Sequence, residues 1–184
     1  MRRFPLLLIF GREYNSTGSV MPTIGKYDFG ESRGPSFWNR TYTLIARACP
    51  GSTPLKQRCI NLGSSPLVFS NVFPQSIPNQ VNAKDTIRAD ISPSRISDHL
   101  KQVFDQQIVE RVRVVLLSVG CVPNLPCIRD LVTSHCRSRN MYLITLPYLG
   151  SRSSNRDLDE ALSDDDRSAI RPIISAFFAS TNEG

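Results

Sequence analysis

Apolar positions along this chain come in continuous runs and in helical stripes, and the alternation of the two predicts strands and helices in turn. The clearest stretch is Val112 to Leu149. Arg113-Val-Val-Leu-Leu-Ser-Val119 is a β-branched and apolar run of buried-strand length. Gly120-Cys-Val-Pro-Asn124 breaks it. Asn124 suits a helix N-cap, and Pro126 suits the first turn, where its missing N–H costs nothing. Leu125, Ile128, Leu131, Val132 and Cys136 follow at helical spacing, and Arg137-Ser-Arg-Asn140 ends the stripe. Met141-Tyr-Leu-Ile-Thr-Leu146 is a second apolar run. Two unbroken runs joined by one helix predict a right-handed βαβ unit. Its strands should be adjacent, parallel and buried, with the 125–137 helix packed across them.

The rest of the chain reads less sharply. Phe4–Phe10 fits a first or edge strand. A short signal peptide is the alternative, but its apolar core is brief and no small-residue cleavage site follows. Gly11 to Ser36 is Gly/Ser-rich and predicts a loop, with an extended piece near Tyr27–Phe29. Tyr42-Thr-Leu-Ile-Ala-Arg-Ala48 predicts a strand, 50–54 a turn, Leu55–Leu62 a short helix and Leu67–Phe73 a strand. Pro74 to Ala89 predicts an irregular insertion. Ser92-Pro93 then opens an amphipathic helix whose stripe is Ile96, Leu100, Val103, Phe104, Ile108 and Val112. Asp157 to Ser180 predicts helix, with Pro172 expected to kink or divide it. Asp164, Asp165 and Asp166 suit a helix N-terminus after Ser163. The sum is one α/β domain over residues 1–184, with a loop-rich segment 11–41 and an irregular insertion 63–92. Its fold class is a three-layer α/β/α sandwich on a mostly parallel sheet of four or five strands.

Composition adds the frame. At 184 residues and 40% hydrophobic content, the chain is long enough for a real core. No apolar run reaches the length of a transmembrane segment. The net charge of +6 hides an asymmetry: residues 1–156 hold 20 of the 22 Lys and Arg against 9 acids, while residues 157–184 hold 2 against 7. Arginine outnumbers lysine 18 to 4. Arginine pairs bidentately with carboxylate and phosphate, so an anionic ligand is one partner class. The arginines are nevertheless scattered, without interleaved aromatics, as on an ordinary solvated surface.

The five cysteines, at 49, 59, 121, 127 and 136, form no CxxC pair. Zinc would need Cys121, Cys127, His135 and Cys136 to converge, yet adjacent His135 and Cys136 point different ways on a helix. Buried free thiols are the simpler reading, and no cofactor is implied. The sequons Asn15-Ser-Thr and Asn39-Arg-Thr matter only in a secreted chain. A soluble, intracellular chain is the favoured expectation.

Three segments are expected at the C-terminal edge of the sheet: Phe29-Gly-Glu-Ser-Arg-Gly34, Cys49-Pro-Gly-Ser-Thr53 and Ser118-Val-Gly-Cys-Val-Pro-Asn124. Together they resemble the blocks of the SGNH, or GDSL-type, hydrolase family. Gly30-Glu31-Ser32 is similar to the Gly-Asp-Ser turn, with Glu for Asp. Leu44 to Thr53 is similar to the second block, where a strand ends in Pro-Gly-small-Thr. Val114 to Asn124 is similar to the third, with two extra residues before the asparagine. Met141 to Tyr148 resembles the strand that follows. The resemblance implies an SGNH/flavodoxin-like sheet and a serine ester hydrolase, with Ser32 as nucleophile. The Ser32 N–H, the Gly51 N–H and the Asn124 amide would then be oxyanion donors.

The departures concern the base. No histidine follows His135, and nothing matches the family's terminal Asp-x-x-His. His135 is expected late on its helix, far from that edge, and His99 exposed on the preceding helix. Phe4 to Arg12 is a better strand for the first block, but Glu13 then takes the serine position. Without its base such a site loses orders of magnitude in rate. The expectation is a catalytically degraded SGNH-like domain acting as a binding or scaffold module for a ligand or a protein partner. The alternative is a basic α/β module that binds an anion or nucleic acid through Arg33, Arg152 and Arg156.

Overall fold

A computed structural model of the protein describes residues 4–11, 36–49, 55–73, 92–118, 125–146 and 155–181. Strand β1 (Leu6–Gly11) is buried at all six positions. A strand apolar on both sides can only be satisfied inside a covered parallel sheet. β1 accordingly pairs in parallel with β2 (Leu67–Asn71) on one side and β3 (Val112–Leu117) on the other. β4 (Tyr142–Thr145) adds to β3, also in parallel, giving the order β2-β1-β3-β4. The register between β1 and β3 shifts between Leu6 and Leu7, where Arg113 is the extra residue. Its side chain turns outward, and Nη1 donates to the carbonyls of Glu110 and Val112.

Alternate strand residues feed two separate cores. Leu7, Ile9, Leu67, Phe69, Val114, Leu116 and Ile144 share one with α1 (Ser36–Arg47), α2 (Leu55–Leu62), α5 (Asn155–Glu160) and α6 (Asp164–Thr181). Leu6, Leu8, Phe10, Val68, Val115 and Leu117 share the other with α3 (Pro93–Phe104) and α4 (Leu125–Ser138). The helices therefore cover both faces. From β1 the chain steps outward to β2 on the first face, then back past β1 to β3 on the second. Right-handed crossovers demand this change of face when the direction of stepping reverses.

Several expectations hold. α2 has the predicted bounds, and Gly63, at φ 56, ends it in the left-handed region. Ser92 caps α3 by accepting from the Arg95 N–H, with Pro93 opening the helix. β3 and β4 are adjacent and parallel, and α4 packs in their core.

Others need correction. Tyr42–Ala48 is not a strand. It lies in and just after α1, because the buried positions Thr41, Tyr42, Leu44, Ile45 and Ala48 repeat at helical spacing. The segment read as loop to residue 41 thus already contains the start of α1, whereas β2 bears out the strand expected at Leu67–Phe73. Of the two readings of Phe4–Phe10, the first strand holds, and β1 lies inside the sheet and not at its edge. β4, by contrast, is at the edge among the described residues, and only Ile144 of its four residues is buried. Tyr142 is 41% exposed, so the expected burial holds for Val114–Leu117 of β3 and not for β4. Ile108 and Val112 lie beyond α3, in a 3-10 turn (Gln107–Arg111) and at the start of β3. Pro172 does not divide the last helix, since α6 runs through it. The proline sits on the exposed side, where water can serve the carbonyl it leaves unbonded. The break comes earlier, between Glu160 and Asp164. There Ser163 Oγ accepts from the Asp166 N–H while Asp166 accepts from the Ser163 N–H, a capping box.

Candidate functional site

In an open doubly wound sheet, ligands sit beyond the strand C-termini where the winding changes direction. Here that switch lies between β1 and β3. The ladder continues one residue past the strands and fixes this edge. The Ser118 N–H donates to the Phe10 carbonyl at 3.1 Å, Val72 N–H to Gly11 at 3.2 Å and Leu146 N–H to Leu117 at 2.9 Å. Ser118 is fully buried and ends the rigid floor; segment 119–124 then leads into α4. The N-terminus of α4 follows this floor, and its first amide groups favour negative charge.

Ser32, Gly51, Asn124, Arg33 and Arg152 lie outside the described residues. Arg156 is on α5, with only its backbone described. The segment before Gly51, expected as a strand, is helix α1.

Both histidines of the chain are placed. His99 is buried at 4% exposure, contrary to the exposed position expected from sequence. Its Nε2 donates to the Asn71 carbonyl at 2.9 Å, at the C-terminal end of β2. Burial pushes its pKa below the ordinary 6.5, partly offset by that bond. The helical signal for this was available: His99 stands three residues after Ile96 and four before Val103, inside the buried stripe. His135 lies at the opposite edge of the sheet, stacked on Phe104 with ring centroids 4.6 Å apart.

Two of the described cysteines are chemically quiet. Burial pushes the Cys59 thiol up to about 11 and the Cys136 thiol up to about 12, so both stay protonated at neutral pH. Among the described residues no group of three or more His, Cys, Asp or Glu is placed to hold a metal ion. No helix of the described residues is long and apolar enough to cross a membrane.

Many of the described arginines are occupied in holding the fold. Arg111 donates to the Phe4 carbonyl, Arg113 to Glu110 and Val112, Arg167 to Arg47 and Asp159, and Arg171 to Ala48. Arg47 pairs with Asp159, and Arg139 with Asp105. A groove of about 590 Å³ that the sequence did not suggest opens at the N-terminal edge. It is lined by Phe104, Asp105, Glu110, Arg113, Arg139 and Met141 among others. These come from the ends of several elements, and no single stretch of sequence announces them.

No protein-family model matches the chain, and no curated protein matches it.

Proposed function

We propose that this chain is an SGNH-like α/β binding module, one that does not turn over esters and holds its ligand at the β1/β3 switch point. The observation that carries this reading is the reversal of winding between two inner strands, whose C-terminal ends are pinned by the Phe10–Ser118 bond. That arrangement is where open α/β sheets take ligands. The absence of turnover is argued from the two histidines. His99 spends Nε2 on the Asn71 carbonyl, and His135 stands at the far edge. A serine nucleophile needs a histidine free to accept its proton. The described arginines are largely tied to carbonyls and carboxylates. An anion-binding role is assigned to Arg33, Arg152 and Arg156, the arginines expected from the sequence at the loops of this edge.

The test has two arms. With p-nitrophenyl acetate, purified protein should give no hydrolysis above background, and Ser32→Ala should change nothing. Turnover that disappears in Ser32→Ala would overturn the non-catalytic reading. In the second arm, amide shifts are followed while acetate or inorganic phosphate is added. Gly11 and Ser118 should move ahead of Arg113 at the opposite edge. Shifts that spare Gly11 and Ser118 would overturn the placement of the site.

A further inference from the structure

At the N-terminal edge of the sheet the ends of α3 and α4 interlock through a small polar cluster on an aromatic ring. The His135 ring lies nearly parallel to that of Phe104, at 13° and 4.6 Å. The Arg139 guanidinium sits 5.5 Å from the centre of the same Phe104 ring. Arg139 Nη2 donates to Asp105 at 2.9 Å, and Nη1 lies 3.3 Å from His135 Nδ1. Lys101 takes the other oxygen of Asp105. We propose that His135 is the proton-sensitive pin of this joint. When its Nδ1 gains a proton, the imidazolium competes for Asp105 and turns Arg139 out of the groove beside Phe104.

The geometry dictates the direction. A guanidinium only donates hydrogen bonds, so His135 Nδ1 must accept, and the ring is neutral with its proton on Nε2. A proton arriving on Nδ1 sets donor against donor and cation against cation across 3.3 Å. The charged groups that face His135 are Arg139 beyond its own helix, and Lys101 and Asp105 from α3 and its end. Glu110 and Arg113 line the same groove from the 3-10 turn and β3. Asp105 is the one carboxylate bonded within the cluster, and Lys101 already shares it. The stack on Phe104 survives protonation, because a cation over a ring face is itself favourable. Arg139 is therefore the group that leaves. Its departure bares the Phe104 ring to the groove of about 590 Å³. Burial, then Arg139, holds His135 below the ordinary 6.5, so the change comes on the acid side of that value.

The experiment is an NMR titration of the whole chain from pH 8 to 4.5. It follows the His135 ring nitrogens, the Arg139 side-chain Nε–H and the Met141 methyl, which reports the groove. His135 should carry its proton on Nε2 at pH 8 and titrate below 6.5. The Arg139 and Met141 signals should move with the same midpoint. Arg139→Gln should raise the His135 midpoint. His135→Phe keeps the aromatic contact, and His135→Gln keeps an acceptor for Arg139. In either variant the Arg139 and Met141 signals should stay flat with pH. A His135 proton on Nδ1 at pH 8 would overturn the proposal. So would Arg139 and Met141 signals that ignore the His135 titration, or that still move in both His135 variants.

Discussion

The two faces of the sheet end their helices in different ways. On the face of α3 and α4 the ends are closed locally. Asn140, at φ 54, turns the chain after α4, and the Met141 N–H reaches back to the Cys136 carbonyl at 2.9 Å. The Asp105 N–H likewise returns to Lys101 at the end of α3. On the other face, α2 closes itself at Gly63, but α1 draws on partners far along the chain. Arg167 Nη1 donates to the Arg47 carbonyl at 3.2 Å, and Arg171 Nε to the Ala48 carbonyl at 3.0 Å. A helix leaves its last carbonyls without internal partners, and here α6 supplies charged donors for them. The comparison teaches that α1 closes its Leu44, Ile45 and Ala46 carbonyls locally, while those of Arg47 and Ala48 find their donors only once the last helix of the chain has docked.

The sharpest way to break this comparison is to loosen each face in turn. Phe177 is fully buried and packs edge-on to Phe4 with centroids 5.1 Å apart. Phe104 is 2% exposed and serves the opposite core. Truncating either to Ala should cost about 3–5 kcal/mol in denaturant unfolding. The patterns of amide exchange should differ. Phe177→Ala, by freeing α6, should raise exchange at the C-terminal turn of α1. Phe104→Ala should leave that turn protected and move the His135 ring signals instead. Unchanged exchange at Ala48 and Cys49 in Phe177→Ala would show that the arginines of α6 do not hold the end of α1.

The same contrast explains which parts of the fold were legible in the sequence. The segment from Ser92 to Leu146 is built from neighbours in sequence, each with its own stop signal: Ser92 and Pro93 at one start, Asn140 at one end. Local rules suffice there. Tyr42–Ala48 carries β-branched and aromatic residues and is followed by no glycine or asparagine stop signal before Pro50, so a strand was the natural misreading. The exposure of β4 was hidden because an apolar run does not say whether another strand will cover it. Of the candidate site, the sequence indicated the switch edge through the β3–α4 turn. It missed the burial of His99 because a histidine was weighed by its chemistry, not by its place in the stripe. Ser32, Gly51 and Asn124 rest on resemblance, since loop residues carry no periodicity that would fix their positions.

A smaller effect sharpens the difference between the two kinds of helix end. Arg171→Met keeps the aliphatic stem but removes the donor to Ala48. It should cost about 1 kcal/mol, the scale of one net hydrogen bond. It should also raise the Cys49 thiol further, because Arg171 is what partly offsets the effect of burial there. Asn140→Ala places a Cβ-bearing residue without a polar side chain at a positive φ and should cost about 1 kcal/mol as well. Asn140→Gly should cost nothing or stabilise, since glycine suits that conformation. If Arg171→Met is silent in unfolding while Asn140→Ala is not, the remote donors complete the end of α1 without stabilising it.

The smallest effect separates the faces by pH. Both histidines of the chain belong to the α3 and α4 face, and in both burial holds the folded pKa below 6.5. For His99 the Nε2–H bond to Asn71 is made in either protonation state, so an added proton must go to Nδ1 within the core. Below pH 6.5 the unfolded chain therefore binds more protons than the folded one, and stability rises with pH. The contribution is present in full above 6.5 and is lost as the pH falls from there through the folded values. Denaturant midpoints at pH 7.5 should exceed those at pH 5.0. His99→Asn should narrow the gap more than His135→Phe does, because His99 is the more deeply buried of the two. The double variant should lose most of the gap. A gap that survives in the double variant would show that the two histidines are not its origin.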